Sequence, residues 1–164
     1  VTARLNQLYS DQMKYVMLEV EVPPSGPGAT MQVASVDVTY ANMETKAMDR
    51  LTSSVSVAFS ASPAEIEAKV NKDVMASAVR LIGADTNVWA TKLRDEGRIE
   101  EARRLLLSNQ AYLEQNADKY NNEELRKDAT SNVLDVQNLD DTNWEKQRKV
   151  MRENQYAIQQ QQMR

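Results

Sequence analysis

The spacing of apolar side chains changes once along this chain, near residue 62. Before that point apolar and polar residues alternate, as in strands with one buried face. After it, apolar residues recur every three or four positions, as in helices that bury one stripe. The sequence therefore predicts an α+β chain. We expect a small antiparallel β module over residues 1–61, followed by an antiparallel array of helical hairpins over residues 62–164.

The β module carries three clear strand patterns and one ambiguous pattern. Residues 14–22, 31–40 and 48–61 alternate, the second with a shift of phase at Ala34. A Pro- and Gly-rich segment follows the first strand pattern and would end it, since proline lacks the ladder donor. Residues 1–9 fit either a strand or a helical turn, and we favour a strand. Three to four strands joined by short loops indicate a meander.

The helical part begins with a strong start signal. Ser62 can cap the helix, Pro63 stands where its missing N–H is not needed, and Glu65 completes a capping box. Gly97 is a natural helix end, and Asn- and Asp-rich stretches mark the later ends. These signals predict four helices, at about residues 63–95, 98–118, 122–139 and 143–158.

Each predicted helix has an apolar stripe that we expect to be buried. The first stripe consists of Ile66, Val70, Val74, Ala78 and Leu81; the second of Ile99, Ala102, Leu106, Gln110, Leu113 and Ala117; the third of Leu125, Ala129, Val133 and Val136. The last helix has only Trp144, Met151 and Ile158, and ends in glutamines at 159–162. We expect it to fray or to pack only partly.

The composition limits the chemistry that this chain can perform. It contains no Cys and no His, which excludes Cys–His and Ser–His–Asp catalysis, disulfides, and most zinc and transition-metal sites. A net charge of −4 gives no electrostatic reason to bind nucleic acid or an anionic membrane. No apolar run approaches the roughly 20 residues that span a bilayer. No signal peptide is evident, so we expect any targeting signal to lie upstream of Val1, and the compartment stays unassigned.

Two acidic clusters are candidates for a metal-binding or catalytic site. Asp140 and Asp141, with Asn138 and Asn143, offer oxygen ligands for Ca²⁺, but their spacing matches no EF-hand loop. An acidic helix N-terminus explains them better. The second cluster, around Glu96, Glu100 and Glu101, is interleaved with arginines and is typical of a solvated face. A hydrolase that uses only such carboxylates stays open as a minor alternative. We predict no catalytic, cofactor-binding or metal-binding residue.

The last helix carries the one candidate binding surface. Its basic residues are balanced by Glu145 and Glu153, which favours an exposed face or a surface for a protein partner over a phosphate site. The candidate partner surface consists of Trp144, Arg148, Lys149 and Arg152. The two tryptophans, Trp89 and Trp144, are expected to be buried anchors, although an exposed tryptophan would mark a partner site.

The segment around Gly97 has the spacing of small residues found in the helical hairpin of a tetratricopeptide repeat. Ala90, Leu93, Gly97, Glu100 and Ala102 carry this pattern. A second copy 34 residues later is absent, because Ser131 stands at the position of the glycine. The pattern thus predicts one such hairpin at most, and close helix packing at a tight turn accounts for it.

The order of motifs along the chain resembles a known family region. The motifs are Gln12-x-Lys14-Tyr15-Val16-x-Leu18-Glu19-Val20-Glu21-Val22, then Ser62-Pro63-x-Glu65 with Val70-Asn71-Lys72-Asp73-Val74, then Lys92-Leu93-Arg94-Asp95-Glu96-Gly97 with Glu100-Glu101-Ala102, and finally Leu139-Asp140-Asp141 with Trp144 and Arg148-Lys149-x-Met151. Together they resemble the region that follows the A domain in bacterial von Willebrand factor type A (VWA) proteins, a group often labelled Ca-activated chloride-channel-like.

The resemblance implies an accessory function for this chain. In such proteins a divalent cation is bound in the A domain by a D-x-S-x-S loop, which this chain lacks. The chain would be a non-catalytic protein-interaction region that packs beside that A domain and presents a helical surface to partners. It would bind no nucleic acid and would not insert into a membrane. The alternative is a free-standing adaptor, similar to a tetratricopeptide repeat, that binds a peptide.

Overall fold

A computed structural model describes residues 1–5, 8, 14–140 and 142–160. The chain divides into two compact units. One unit comprises residues 18–70 and contains two strands and a short helix. The other comprises residues 1–17 and 71–164 and contains four helices within its described residues. The α+β class predicted from the sequence is confirmed, with fewer strands than expected.

The two strands form one antiparallel hairpin. β1 covers Thr30–Ala41 and β2 covers Met48–Ala58. Val38 lies opposite Leu51, and the register shifts once, between Gln32 and Ala34. A bulge at this point accounts for the change of phase that the sequence shows, because one extra residue moves the following side chains to the other face.

Asn42 organises the turn between the two strands. Its side-chain oxygen accepts hydrogen bonds from the backbone N–H groups of Glu44 (3.0 Å) and Thr45 (3.3 Å). Its amide group donates to Asp49 Oδ2 at 2.7 Å. Lys46 adopts a positive φ of 57° and completes the reversal. The short loop predicted between the second and third strand patterns, residues 31–40 and 48–61, is therefore confirmed.

Two further predicted strands are not found. Residues 14–22 lie outside any strand, and so do residues 1–5 and 8; the rest of the 1–9 prediction lies outside the described residues. Alternation of apolar and polar residues specifies which side chains would share a buried face. A strand also needs a neighbouring backbone for its hydrogen bonds. In the part of the chain that the structure describes, only β1 and β2 provide that pairing for each other.

The predicted first helix, 63–95, is in fact two helices. α1 covers Pro63–Ala68 and α2 covers Lys72–Asp95. The predicted cap at Ser62 is confirmed, since its hydroxyl accepts from Glu65 N–H at 3.3 Å. The Glu65 side chain, however, bonds to Ser60 and not to the cap backbone. The break occurs because Asn71 acts as a second cap, accepting from Val74 N–H at 3.1 Å.

The other three helices fall close to their predicted positions. α3 covers Ile99–Tyr120, α4 covers Glu123–Gln137 and α5 covers Trp144–Gln159. Gly97 ends α2 with a φ of 80°, and the Arg98 N–H donates to Leu93 O at 2.9 Å. This hydrogen bond closes the helix end as a Schellman motif. α3 packs against both α2 and α4, whereas α5 packs against α2.

The buried stripes of α3 and α4 largely follow the sequence pattern, but that of α2 does not. Val74 is 61% exposed, and the buried face lies elsewhere on the helix. It consists of Ala76, Val79, Gly83, Ala84, Ala90, Thr91 and Arg94. The prediction of that stripe required one continuous helix from residue 63. Because the helix is interrupted at Asn71, the pattern before the break does not determine which face of α2 is buried. Small residues form most of its buried face, and a pattern based on large apolar residues misses them.

Small residues allow α2 and α3 to approach closely. Ala90 on α2 and Ala102 on α3 are fully buried in a cluster that also contains Leu106, Leu139, Trp144 and Met151. A Cβ atom added to Gly83 would lie 2.9 Å from Leu113 Cδ2. A larger residue at this position would force the end of the Leu113 side chain to shift; glycine avoids this, although it weakens helix α2 by about 1 kcal/mol relative to alanine.

Buried amides connect three helices across this contact. Asn109 Nδ2 on α3 donates to Gly83 O (2.9 Å) and to Asn87 Oδ1 (2.8 Å) on α2. Asn87 Nδ2 donates in turn to Asn132 Oδ1 on α4 at 2.7 Å. Asn132 Nδ2 is buried and has no hydrogen-bond partner in the described chain. An unpaired buried donor of this kind costs about 1–3 kcal/mol.

Replacing Gly83 by Val should destabilise the helical unit by about 1–3 kcal/mol, because the added side chain must displace Leu113. Valine is no worse than glycine in helix propensity, so the loss would report packing. Asp85→Val, at an exposed position of the same helix, is the matched control. Urea unfolding followed by helical circular dichroism measures both variants; equal stability of the two would contradict the close contact.

Candidate functional site

Trp144 and Arg148 of the predicted partner surface contact α2. Trp144 is only 7% exposed, and its ring N–H donates to Asp95 Oδ1 at 3.1 Å. Arg148 Nε lies 2.8 and 2.9 Å from the two Asp95 oxygens. Arg152 approaches the same carboxylate at 3.7 Å, and Lys149 is exposed. Trp144, Arg148 and Arg152 thus surround the C-terminal end of α2, and Trp144 offers little surface to a partner.

Charge stabilises this junction between α2 and α5. The hydrogen bond from Arg148 lowers the pKa of Asp95, and burial opposes this effect. Next to it, the buried Arg94 donates from Nε to Leu139 O at 2.6 Å and lies 5.0 Å from the centre of the Trp144 ring. An arginine over a tryptophan face is attracted by the ring quadrupole. The junction therefore holds the end of α4, the start of α5 and the end of α2 together.

The acidic cluster around Gly97 forms ion pairs. Arg98 lies 2.7 Å from a Glu101 oxygen and 3.3 Å from a Glu96 oxygen, and Arg103 lies 3.5 Å from Glu100. The hydrogen bond from Arg98 lowers the pKa of Glu101. These carboxylates are thus paired with arginines at a surface turn.

The acidic cluster at Asp140 is a capping arrangement in its described part. Asp140 Oδ1 accepts a hydrogen bond from Asn143 N–H at 3.1 Å, directly before α5. Asp141 lies outside the described residues. Among the residues that the structure does describe, no three His, Cys, Asp or Glu side chains form a group that could hold a metal ion.

The two tryptophans differ in burial. Trp144 is buried as predicted, but Trp89 on α2 is 54% exposed, with Lys92 Nζ 5.0 Å from the centre of its ring. The prediction of a buried Trp89 is therefore wrong. It assumed that the apolar side of α2 faced inward at this residue, whereas Ala90 and Thr91 take that position.

The β hairpin exposes an apolar face. The register places Val36, Val38 and Tyr40 on the same side of the sheet as Leu51 and Val55. All five are between 41% and 59% exposed. The opposite face is polar and carries the Arg50–Asp37 ion pair at 2.9 Å. None of residues 18–70 is fully buried, so this unit has no core of its own.

A cavity of about 260 Å³, lined by both polar and apolar side chains, lies between α2, α4 and α5. Its charged lining residues are Arg80 on α2 and Glu124, Lys127, Asp128 and Asp135 on α4. Arg80 Nε is 2.7 Å from Asp128 and Lys127 Nζ is 2.8 Å from Glu124. Among the lining residues that the structure describes, the two cations are thus paired with Asp128 and Glu124, and no cation is paired with Asp135.

Asp135 is the most unusual group in this cavity. It is 3% exposed, and its Oδ1 accepts a hydrogen bond of 2.5 Å from Gln147 Nε2. Burial raises its pKa to about 6, and the bond from Gln147 only partly offsets this. None of the residues predicted from the sequence as functional belongs to this site. The available signal was a pair of polar residues, Asn132 and Asp135, that continue the buried stripe of Leu125 and Ala129.

Comparisons with protein-family models, with curated proteins and with solved structures found no match for this chain. Within the described residues, no helix combines the length and apolar character needed to cross a membrane. The observations that bear on function are therefore the apolar face of the hairpin and the cavity at Asp135.

Replacing Asp135 by Asn should stabilise the helical unit at pH 7, by about 1–3 kcal/mol for a pKa shift of this size. The folded state retains the proton on Asp135 up to a pH of about 6, whereas the unfolded chain loses it near the ordinary aspartate pKa of 3.8. Stability of the parent chain should therefore fall as the pH rises from about 4 to 6. Unfolding midpoints at pH 4 and pH 7 test this: the variant's advantage should disappear at pH 4, and an equal advantage at both would contradict the raised pKa.

Proposed function

We propose that this chain is a non-catalytic accessory region that binds protein, with the apolar face of the β hairpin covered by a neighbouring folded domain. The observation that carries the proposal is the exposed face formed by Val36, Val38, Tyr40, Leu51 and Val55. A two-stranded hairpin is marginally stable in water unless its apolar side packs against something. A contiguous apolar patch of this kind is typical of interaction surfaces.

The size of the face limits how it can be used. Two strands of about eleven residues give a strip of about 37 by 10 Å, or roughly 400 Å². A standard interface buries about 800 Å² on each partner. The hairpin face would supply about half of one side, so further contacts are required. Strand addition at an open edge of the hairpin is one route, because it also satisfies free backbone groups.

The order of motifs supports a VWA domain as the neighbour. It resembles the region after the A domain of bacterial VWA proteins, in which the divalent cation belongs to the A domain. In this arrangement the hairpin would pack beside the A domain, and the helices would present their surface to further protein partners.

A second candidate function is supported by the α2–α3 hairpin. Ala90 and Ala102 are fully buried on either side of the Gly97 turn, as the spacing of a tetratricopeptide-like hairpin requires. A free-standing adaptor would use the helical unit alone to bind a peptide. It would leave the hairpin face uncovered in the full-length protein, and this distinguishes the two candidates.

Hydrogen exchange of residues 30–58 in the full-length protein tests the proposal. We expect stronger protection of β1 and β2 there than in the 164-residue chain alone, because the neighbouring domain excludes water from the apolar face. Val38→Glu should abolish that extra protection, since burying an unpaired carboxylate costs several kcal/mol.

The matched control is Thr39→Glu, one residue further along β1 and on the polar face. It should leave the protection intact. Equal exchange in the full-length protein and in the isolated chain would contradict the proposal and would favour the free-standing adaptor.

A further inference from the structure

The cavity between α2, α4 and α5 has the properties of a binding site for one charged group. We propose that it receives the side chain of a lysine from a protein partner, with the ammonium group held by Asp135. The inference concerns the helical unit alone. It does not depend on the hairpin being covered by a neighbouring domain, so either proposal can fail without the other.

The charge balance of the lining residues supports a cationic ligand. Arg80 is held by Asp128 at 2.7 Å and by Glu124 at 3.6 Å, and Lys127 is also held by Glu124. Among the charged lining residues these two cations and two carboxylates neutralise each other. Asp135 remains as one net negative charge, 3% exposed and without a cationic partner in the described chain. A buried carboxylate in this situation is stabilised strongly by an added cation.

The hydrogen bonding of Asp135 identifies the kind of cation. Oδ1 already accepts from Gln147, whereas Oδ2 accepts no hydrogen bond from any described residue. An arginine side chain binds a carboxylate best when both oxygens are available to its two parallel N–H groups. With a single free oxygen, the compact ammonium of lysine fits better. Ser131 and Asn154 also line the cavity and carry oxygens that can accept from the remaining ammonium protons.

The size and the apolar part of the cavity agree with a side chain as the ligand. At about 260 Å³ it lies just below the range of roughly 300–1,000 Å³ that accommodates drug-sized molecules and cofactors. A single long side chain is therefore a better match than a nucleotide. Ala84, Met151 and Ile158 provide an apolar wall. The four methylene groups of lysine can lie along this wall while the ammonium reaches Asp135.

Titration of the isotopically labelled 164-residue chain with the peptide acetyl-Ala-Lys-Ala-amide, followed by amide chemical shifts in NMR, tests the proposal at pH 7.5. We expect saturable shifts at α4 and α5 residues that line the cavity. The peptide with norleucine in place of lysine has the same stem without the charge and should not bind. The arginine peptide should bind more weakly than the lysine peptide.

Asp135→Asn should weaken binding of the lysine peptide by about tenfold or more, the usual range for loss of a hydrogen bond to a charged group. This variant is expected to be at least as stable as the parent at pH 7, so failure to fold would not obscure the result. Asp118→Asn, on the exposed side of α3, is the control and should bind as the parent does. Unchanged binding by Asp135→Asn, or equal binding of the norleucine peptide, would overturn the proposal. Tighter binding of n-butylammonium than of the lysine peptide would overturn the assignment to a protein side chain.

Discussion

The close approach of α2 and α3 is the contact on which the rest of the helical unit depends. Gly83, Ala90 and Ala102 have little or no side chain, and this brings the two backbones near enough for Asn109 to reach the Gly83 carbonyl at 2.9 Å. Tight packing of small residues gains dispersion energy while burying little apolar area. At Gly83 a single added carbon would meet Leu113 Cδ2 at 2.9 Å, so the end of that side chain would have to move. α4 then packs on α3 and α5 on α2, each positioned by this pair.

The interior of the helical unit is more polar than a purely structural bundle requires. Thr91, Arg94, Asn109, Asn132, Asp135 and Gln155 are all buried. Most are paired: Gln155 donates to Thr91 at 2.9 Å, and Arg94 donates to the carbonyl of Leu139. Asn132 and Asp135, both on α4, are only partly matched: Asn132 Nδ2 has no hydrogen-bond partner in the described chain, and Asp135 accepts from Gln147 but has no cationic partner there. Groups that reduce stability are often found where a protein binds something. Asn132 and Asp135 both reduce the stability of the folded state, and both lie on α4, the helix that carries the proposed binding residue Asp135.

The two units offer different kinds of surface. The hairpin presents an apolar face. An extensive contact with a folded neighbour would remove this face from water, which is favourable. The helical cavity presents one buried charge beside an apolar wall, which favours a single side chain and gives specificity through charge. In the function proposed above, the hairpin would contact the neighbouring domain and the cavity would receive a lysine of a second protein partner.

The sequence by itself determined the class of fold, the hairpin and the ends of most helices, because these depend on local chemistry. Ser62, Gly97 and the change of period near residue 62 act over a few residues, and their effects can be followed in the sequence. Tertiary structure decided the rest. Residues 14–22 alternate like a strand but belong to no strand of the described chain, and Asn71 divides a helix that the pattern shows as continuous. The inner face of α2 is set by small residues that match the surface of α3, which a search for large apolar residues cannot reveal. Trp144 and Arg148 were candidates for a partner surface, but their contacts are with Asp95 on α2, because the loop after α4 returns α5 to that helix. The cavity at Asp135 arises only when α2, α4 and α5 come together, since its charge balance depends on pairs formed between helices.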